Sequence, residues 1–268
     1  MAAEKATALV LRVIDFSETS VICTLFTREF GRISALAKGA RRPKGPFESA
    51  LDLLSLCRVV FLRKTSGALD LLTEAKLERR FRPAAGNLEN LYAGYYIAEL
   101  LGEFGEDYDP LPELFDAANA ALLALRDAGE AARQVPRFEW QLLRVLGHLP
   151  AFDHCAECGT SLIGAKNLTA SGRIRFALLD GGAVCESCRE GKKQVVSISI
   201  PAIQMMQSFA DTDTETWRTM PLERATYGEM RGVLNNYFSH LLGRPTKMQK
   251  LLGLPANRTE NPSISKST

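Results

Sequence analysis

The chain has 268 residues, a hydrophobic content of 46% and a formal net charge of +2. That length carries one large domain or two to three small ones with a filled core, and no apolar run approaches the ~18 residues of a membrane span. The small net charge hides an asymmetry: residues 1–85 hold fifteen Lys and Arg against nine Asp and Glu, and residues 86–150 hold four against eleven. A basic first part followed by an acidic second part points to a polyanion as the ligand of the first part only. Glu4 and Lys5 stand ahead of an alternating stretch where a signal peptide would have its apolar core, which predicts a cytoplasmic protein.

From Thr7 to Leu77 the pattern is period-two alternation in short runs. Leu9, Leu11 and Val13 alternate with Val10 and Arg12. Val21, Cys23 and Leu25 follow, then Ile33, Ala35 and Ala37, then LLSLCRVVFLRK and ALDLLTEAKLE. Five strands in about eighty residues, with a break after the third, predict a small barrel of the OB type, which binds single strands on one face and in its loops. Cys23 and Cys57 sit inside apolar runs and are expected in the core. The basic residues fall at the loops. Arg32 opens the third strand; Lys38, Arg41, Arg42 and Lys44 follow it on a Gly- and Pro-broken loop; Arg63 and Lys64 follow the fourth. These seven are the candidate nucleic-acid contacts, because a backbone that follows a phosphate chain needs cations on an irregular segment. Arg79, Arg80 and Arg82 close the region and either touch the same ligand or brace the next domain. A lone basic loop is most often a solvated surface, and the aromatic partners expected for base stacking are not settled: Phe16, Phe26, Phe30, Phe47 and Phe61 are present, mostly at strand positions.

Around Pro83 to Asn87 the period lengthens to three and four. Asn87 is placed to cap a helix with Leu88, Leu91, Tyr92, Tyr95 and Leu101 on one stripe. Asp109-Pro110 is expected to open a second helix, PELFDAANAALLALRDAG, and RFEWQLLRVLGHLP forms a third that stops at Gly147 and Pro150. SIPAIQMMQSFAD and LERATYGEMRGVLNNYFSHLLG are later helices, with Met205 and Met206 as core filler. The acidic faces of these helices disfavour DNA and leave them for structure or a protein partner.

Between the helical blocks lie two C-x-x-C pairs, Cys155 with Cys158 and Cys185 with Cys188, separated by the 26 residues from Gly159 to Val184. Four thiolates in two knuckles suit one tetrahedral zinc with a purely structural role, since no coordination position stays open for water. A thioredoxin-like redox role fits less well, because neither pair opens a long helix. His154 is a neighbour of the site and not a ligand in this reading. No catalytic constellation is visible. The three histidines (148, 154, 240) are scattered and none begins H-x-E; Gly159 to Gly164 has the glycine spacing of a phosphate loop but Ala165 where lysine belongs. The expectation is a non-enzyme.

The residues also carry a resemblance. DFSETSVICTLFTREFGRISALAKGARR, then RFEWQLLRVLGHLPAFDHCAECG, then Phe176, Gly181, Gly182, Cys185 and Cys188, then YFSHLLGRPTKMQKLL resemble, in this order, the RecO family of bacterial recombination-repair proteins. The resemblance covers nearly the whole chain short of the tail. It implies an α+β multidomain protein with an N-terminal OB-fold β-barrel, an α-helical domain and a four-cysteine zinc module. It also implies binding of single- and double-stranded DNA, annealing of complementary strands, and partnership with RecR and the C-terminal tail of single-stranded-DNA-binding protein, so that RecA is loaded. Such a protein would be cytoplasmic and at the nucleoid during repair, with no membrane partner. Lys38, Arg41 and Arg42 lie on the family's A-K-G-A-R segment. Some members lack the cysteines, so the zinc rests on this chain's own residues. The domains are expected at 1–82 (barrel), 83–150 (first helical part), 151–196 (zinc module) and 197–254 (second helical part), with 255–268 a disordered tail. An alternative, an RNA-binding or transcription-associated module, uses the same barrel and knuckles, because an OB fold does not by itself choose DNA over RNA.

Overall fold

The structure, a computed structural model, describes residues 3–42, 45–47, 50–64, 68–127, 130–162 and 172–252. Lys44 and the polar tail lie outside the described residues.

Strands β1 (Ala3–Asp15), β2 (Val21–Thr27), β3 (Gly31–Ala37), β4 (Leu56–Leu62) and β5 (Asp70–Arg79) close into a barrel in the order β1-β2-β3-β5-β4. β4 returns antiparallel onto β1, and the β3–β5 pair is parallel. This is the five-stranded OB arrangement that the alternation predicts. Side chains alternate between two cores. Ala8, Val10, Cys23, Leu25, Ile33, Ala35 and Phe61 fill the barrel, whereas Leu9, Leu11, Phe26 and Leu56 face outward and are buried with the helices. Cys23 and Cys57 are both fully buried, and burial pushes both thiols up to about 12. A register shift between Val10 and Arg12 marks where β1 leaves the shared core. Beyond it, Arg12 to Asp15 run out into solvent as the arm of a hairpin.

Five helices follow the barrel: α1 (Leu88–Phe104), α2 (Pro112–Arg126), α3 (Ala131–Val145), α4 (Ile200–Ala210) and α5 (Arg224–Leu242). Asn87 caps α1, its side-chain oxygen accepting from the Asn90 N–H at 3.0 Å. Two boundaries differ from the sequence reading. α2 starts at Pro112, with Leu111 as N-cap, and not at Asp109-Pro110; Asp109 is instead held in a loop pressed against β3. α3 begins at Ala131, ahead of the stretch read as helical, and runs through Pro136. A proline usually breaks a helix, but Ala131 and Val135 are buried in the helical core, and that packing outweighs the missing hydrogen bond. α5 ends where expected, at Gly243, which adopts the left-handed conformation with φ 68°.

Between α3 and α4 a small sheet of β6 (Arg173–Ala177), β7 (Gly182–Val184) and β8 (Val195–Ser199) is ordered β7-β6-β8. Its Ile174, Phe176 and Ile198 share one continuous core with Phe138, Leu142, Met206, Phe209, Leu234 and Phe238 of the helices. The cysteine module is therefore part of the helical domain's interior. Among the described residues, no helix is long and apolar enough to cross a membrane.

One ionic group lies inside that interior. Glu139 of α3 is fully buried; it accepts from the Tyr96 hydroxyl of α1 at 2.7 Å and from the Arg231 guanidinium of α5. Burial raises the Glu139 carboxyl and also opposes the charge on Arg231. For Arg231 the attraction of the carboxylate outweighs burial, and the guanidinium is held firmly protonated. Three helices are thus tied by one buried pair, and removing one partner strands the other. Arg231→Met is expected to destabilise the protein by about 3–5 kcal/mol in urea denaturation. Adding Glu139→Gln to that background is expected to recover at least ~1 kcal/mol by removing the stranded charge.

Candidate nucleic-acid interface and metal centre

The seven basic candidates fall into two groups. Lys38, Arg41 and Arg42 are exposed on the loop that leaves β3. That loop is a built turn: Gly39 has φ 73°, the Arg42 N–H donates to the Gly39 carbonyl at 3.0 Å, and the Arg41 N–H donates to the Thr19 carbonyl at 3.1 Å. The last of these bonds joins the basic loop to the β1–β2 hairpin at the same end of the barrel. The Arg41 guanidinium pairs with Asp15 on that hairpin. Both groups are about half exposed or more, so the pair contributes at most ~1 kcal/mol. Lys44 completes the predicted set but lies outside the described residues.

Arg32, Arg63 and Lys64 sit elsewhere, at the other end of β3. Six residue steps, about 20 Å of extended chain, separate Arg32 from Lys38. The Arg32 guanidinium donates to the Asp107 carboxylate and to the Gly102 carbonyl, both at 2.7 Å. Its backbone joins in: the Arg32 N–H donates to Glu106 and its carbonyl accepts from Tyr108, each at 3.1 Å. The loop from Glu106 to Asp109 thus adds to β3 as a short extra strand. Gly31 permits it, because a Cβ there would stand 2.0 Å from the Asp109 carbonyl oxygen. Tyr108, held at φ 59°, donates its hydroxyl to Asp70, and the Arg63 guanidinium lies 3.7 Å from its ring centroid. Lys64 is exposed, with its backbone N–H on Asp70. Beside this junction a cleft of about 680 Å³ opens between β1–β3 and α1. Its wall alternates Arg12, Arg32 and Lys247 with Glu99, Glu103 and Asp107, a mixed charge that does not favour a polyanion.

The closing arginines divide as well. Arg79 donates to the side-chain and main-chain oxygens of Asn119 on α2, and Arg80 lies 3.9 Å from Asp52. Both brace. Arg82 is exposed. The sequence reading did not find the acidic partners of the barrel: Asp116, which takes a bidentate pair from Arg28 at 2.9 Å, and Asp107. The opposite charge of the two segments was the signal for them.

The four cysteines come together. Their sulfurs all lie within 4.8 Å of one another, and Cys158 Sγ is 3.8 Å from Cys185 Sγ. A tetrahedron with metal–sulfur bonds of ~2.3 Å has edges of ~3.8 Å, so the set fits a tetrahedral cation. Among the described residues it is the only cluster of this kind. The first knuckle turns through Gly159 at φ 71°, whose N–H donates to the Cys155 carbonyl at 2.9 Å, while Cys155 N–H donates to Thr160 at 2.8 Å. Cys185 follows β7 directly. Gly182, at φ 135°, lets Ala151 pair with β7, and the Ala156 N–H donates to Ala183 at 2.8 Å, which fixes one knuckle on the other. Burial opposes ionisation of Cys155, but backbone N–H groups of Cys158, Cys185 and Glu157 aimed at its sulfur prevail and hold the thiol down to about 6. Hydrogen bonding with the Cys185 and Cys158 sulfurs pushes Cys188 up to about 12. Sulfurs crowded so that they cannot all ionise alone are what a divalent cation neutralises. His154 stays outside the set, its ring Nδ1 2.7 Å from Asp153.

The geometry separates the braced Arg32 from the exposed cations of the loop after β3. Arg32→Ala is expected to lower stability by about 1 kcal/mol, because its pair is partly exposed, and to leave the salt dependence of oligonucleotide binding unchanged. Denaturant titration and binding across a salt series check the two halves.

Comparison with known proteins agrees with this architecture. The family model described as Recombination protein O N terminal matches residues 1–81, and Recombination protein O C terminal matches residues 85–250. The DNA repair protein RecO of Rhodopirellula baltica is 42% identical over 267 residues, covering 91% of this chain and 97% of its own. The DNA repair protein RecO of Myxococcus xanthus is 34% identical over 241 residues, 90% and 93% of the two chains, and that of Anaeromyxobacter dehalogenans strain 2CP-C is 30% identical over 248, 92% and 95%. With both halves matched in order and the relatives covered almost end to end, the chain belongs to the RecO family.

Proposed function

We propose that this protein is a DNA repair protein that acts as a recombination mediator. It binds single- and double-stranded DNA, anneals complementary strands and helps RecA replace single-stranded-DNA-binding protein, in partnership with RecR. The observation that carries the DNA-binding reading is the exposed trio Lys38, Arg41 and Arg42 on a loop fixed to one end of the OB barrel. Cations there neutralise phosphates, which lowers the repulsion between two strands. Complements can then pair without covalent chemistry or a nucleotide cofactor. RecR, the C-terminal tail of single-stranded-DNA-binding protein and a cytoplasmic site of action are part of this reading; relatives named as DNA repair proteins support its repair role.

Zinc is the metal we assign to the four cysteines. All-sulfur tetrahedral sites favour it, and a full set of protein ligands makes the role structural. The knuckles share the helical core, so the ion would stabilise that domain and leave the barrel's surface to the nucleic acid.

Binding of a fluorescent single-stranded oligonucleotide across a salt series tests the DNA reading. For the triple variant Lys38→Ala/Arg41→Ala/Arg42→Ala the slope of log K against log salt is expected to shrink by up to ~2, about 0.7 for each phosphate no longer neutralised. An unchanged slope places the DNA elsewhere on the surface, and preference for a matched RNA competitor turns the ligand into RNA. For the metal, one zinc per chain is expected after purification without added metal, and Cys155→Ser is expected to abolish both the zinc and cooperative folding of the helical domain. A metal-free, fully folded protein refutes that assignment.

A further inference from the structure

The most exposed of the large hydrophobic side chains in the described residues is Phe16, at 60%. It sits at the tip of the β1–β2 hairpin, and the backbone there is tightly held. The Phe16 and Ser17 N–H groups donate to the Ser20 carbonyl at 3.0 and 3.1 Å, and the Ser20 N–H donates to the Ser17 hydroxyl at 3.2 Å. An aromatic ring this exposed on a fixed turn is not filling a core. Nor is it isolated: Val13 and Ile14, on the same arm, are 36% and 41% exposed.

Its neighbours indicate what it meets. The hairpin and the basic loop are joined by three bonds: the Arg41 N–H to Thr19, the Gly39 N–H to the Ser20 hydroxyl at 3.4 Å, and the Arg41 guanidinium to Asp15. The hairpin that carries this exposed ring is therefore bonded to the loop that carries three exposed cations, Lys38, Arg41 and Arg42. An unpaired nucleotide offers the complement, a π-face on one side and a phosphate on the other. A duplex does not, because its bases are already stacked. Two carboxylates, Asp15 and Glu18, share the hairpin; the first is already held by Arg41.

We propose that Phe16 is a stacking platform for one base of a single strand, with the flanking phosphates running along Lys38, Arg41 and Arg42. This rests on the DNA-binding reading above and adds to it a residue that senses unpaired bases. Phosphate neutralisation alone holds single and double strands alike; the platform would give the same loop its preference for the single strand, the form on which annealing begins.

The test combines Phe16→Ala, Phe16→Leu and Phe16→Trp in the full-length protein. Because the ring is exposed and its turn is held by backbone bonds, all three are expected to fold as the parent, checked by thermal melting. Phe16→Ala should bind a single-stranded oligonucleotide about 5- to 100-fold more weakly with an unchanged salt slope, since the cations that meet phosphates are all kept. Phe16→Leu should not restore affinity; Phe16→Trp should. The parent's tryptophans, Trp140 and Trp217, are buried, so the introduced indole is the one expected to be quenched by the single strand and not by a duplex. An oligonucleotide of abasic sites should reduce the parent to the affinity of Phe16→Ala. Parent binding that is unaffected by Phe16→Ala, or fully restored by Phe16→Leu, overturns the platform and leaves DNA binding standing. A parent that binds no oligonucleotide overturns both.

Discussion

The close approach of two backbones at the start of β3 governs the rest of the molecule. Gly31 has no side chain where the Asp109 carbonyl stands, and Arg32 lies alongside the Glu106–Asp109 loop with three of its polar groups bonded there. A residue larger than glycine would clash with the Asp109 backbone and force the loop away from β3. From this fixed point Phe26 reaches the helical core and stacks on Phe115, with ring centroids 6.3 Å apart, and Arg28 reaches Asp116. The outer face of β1–β3, which an isolated OB barrel would offer to a ligand, is thereby partly walled by α1. The far end of the barrel, where the hairpin and the basic loop meet, stays exposed.

The charge asymmetry of the chain is explained at this junction. Part of the acidic excess in the second segment faces the barrel or the residues that follow α5. Asp107 takes Arg32, Asp116 takes Arg28 and Glu103 takes Arg244, while Glu99 accepts from the Lys247 and Met248 N–H groups at 2.7 and 2.9 Å. Each exposed pair is weak alone. Spread across an interface that also buries apolar side chains, they fix how the domains sit, and they leave Lys38 and Arg42 exposed at the basic loop. A domain-level charge difference thus serves to orient the domains, while Lys38, Arg41 and Arg42 stay exposed on the basic loop.

The cysteine module is built into the same framework. Its sheet continues the helical core, and its two knuckles are fastened by Ala151, Ala156 and Ala183 backbone bonds before any cation is considered. The thiols nevertheless conflict electrostatically, Cys155 favouring ionisation and Cys188 resisting it. A cation held there would resolve that conflict and would couple metal affinity to the stability of the domain around it.

Short-range patterns in the chain determined the elements. Period-two alternation produced the five barrel strands, Asn87 and Gly243 bounded α1 and α5, and each C-x-x-C pair marked one half of a candidate ligand set, because each depends on neighbours within a few residues. Helix starts that depend on distant packing were not legible: Pro136 reads locally as a breaker, and only the burial of Ala131 and Val135 makes it helical. The candidate DNA-binding residues show the same division. Composition marks Arg32 and Arg41 as equal cations on a basic segment. Only the fold decides that Arg32 is bonded to an acidic loop 75 residues away while Arg41 is exposed on the loop beside the Phe16 hairpin. A side chain's charge is written in the sequence, but its availability depends on which distant group reaches it first, and that is settled by tertiary packing.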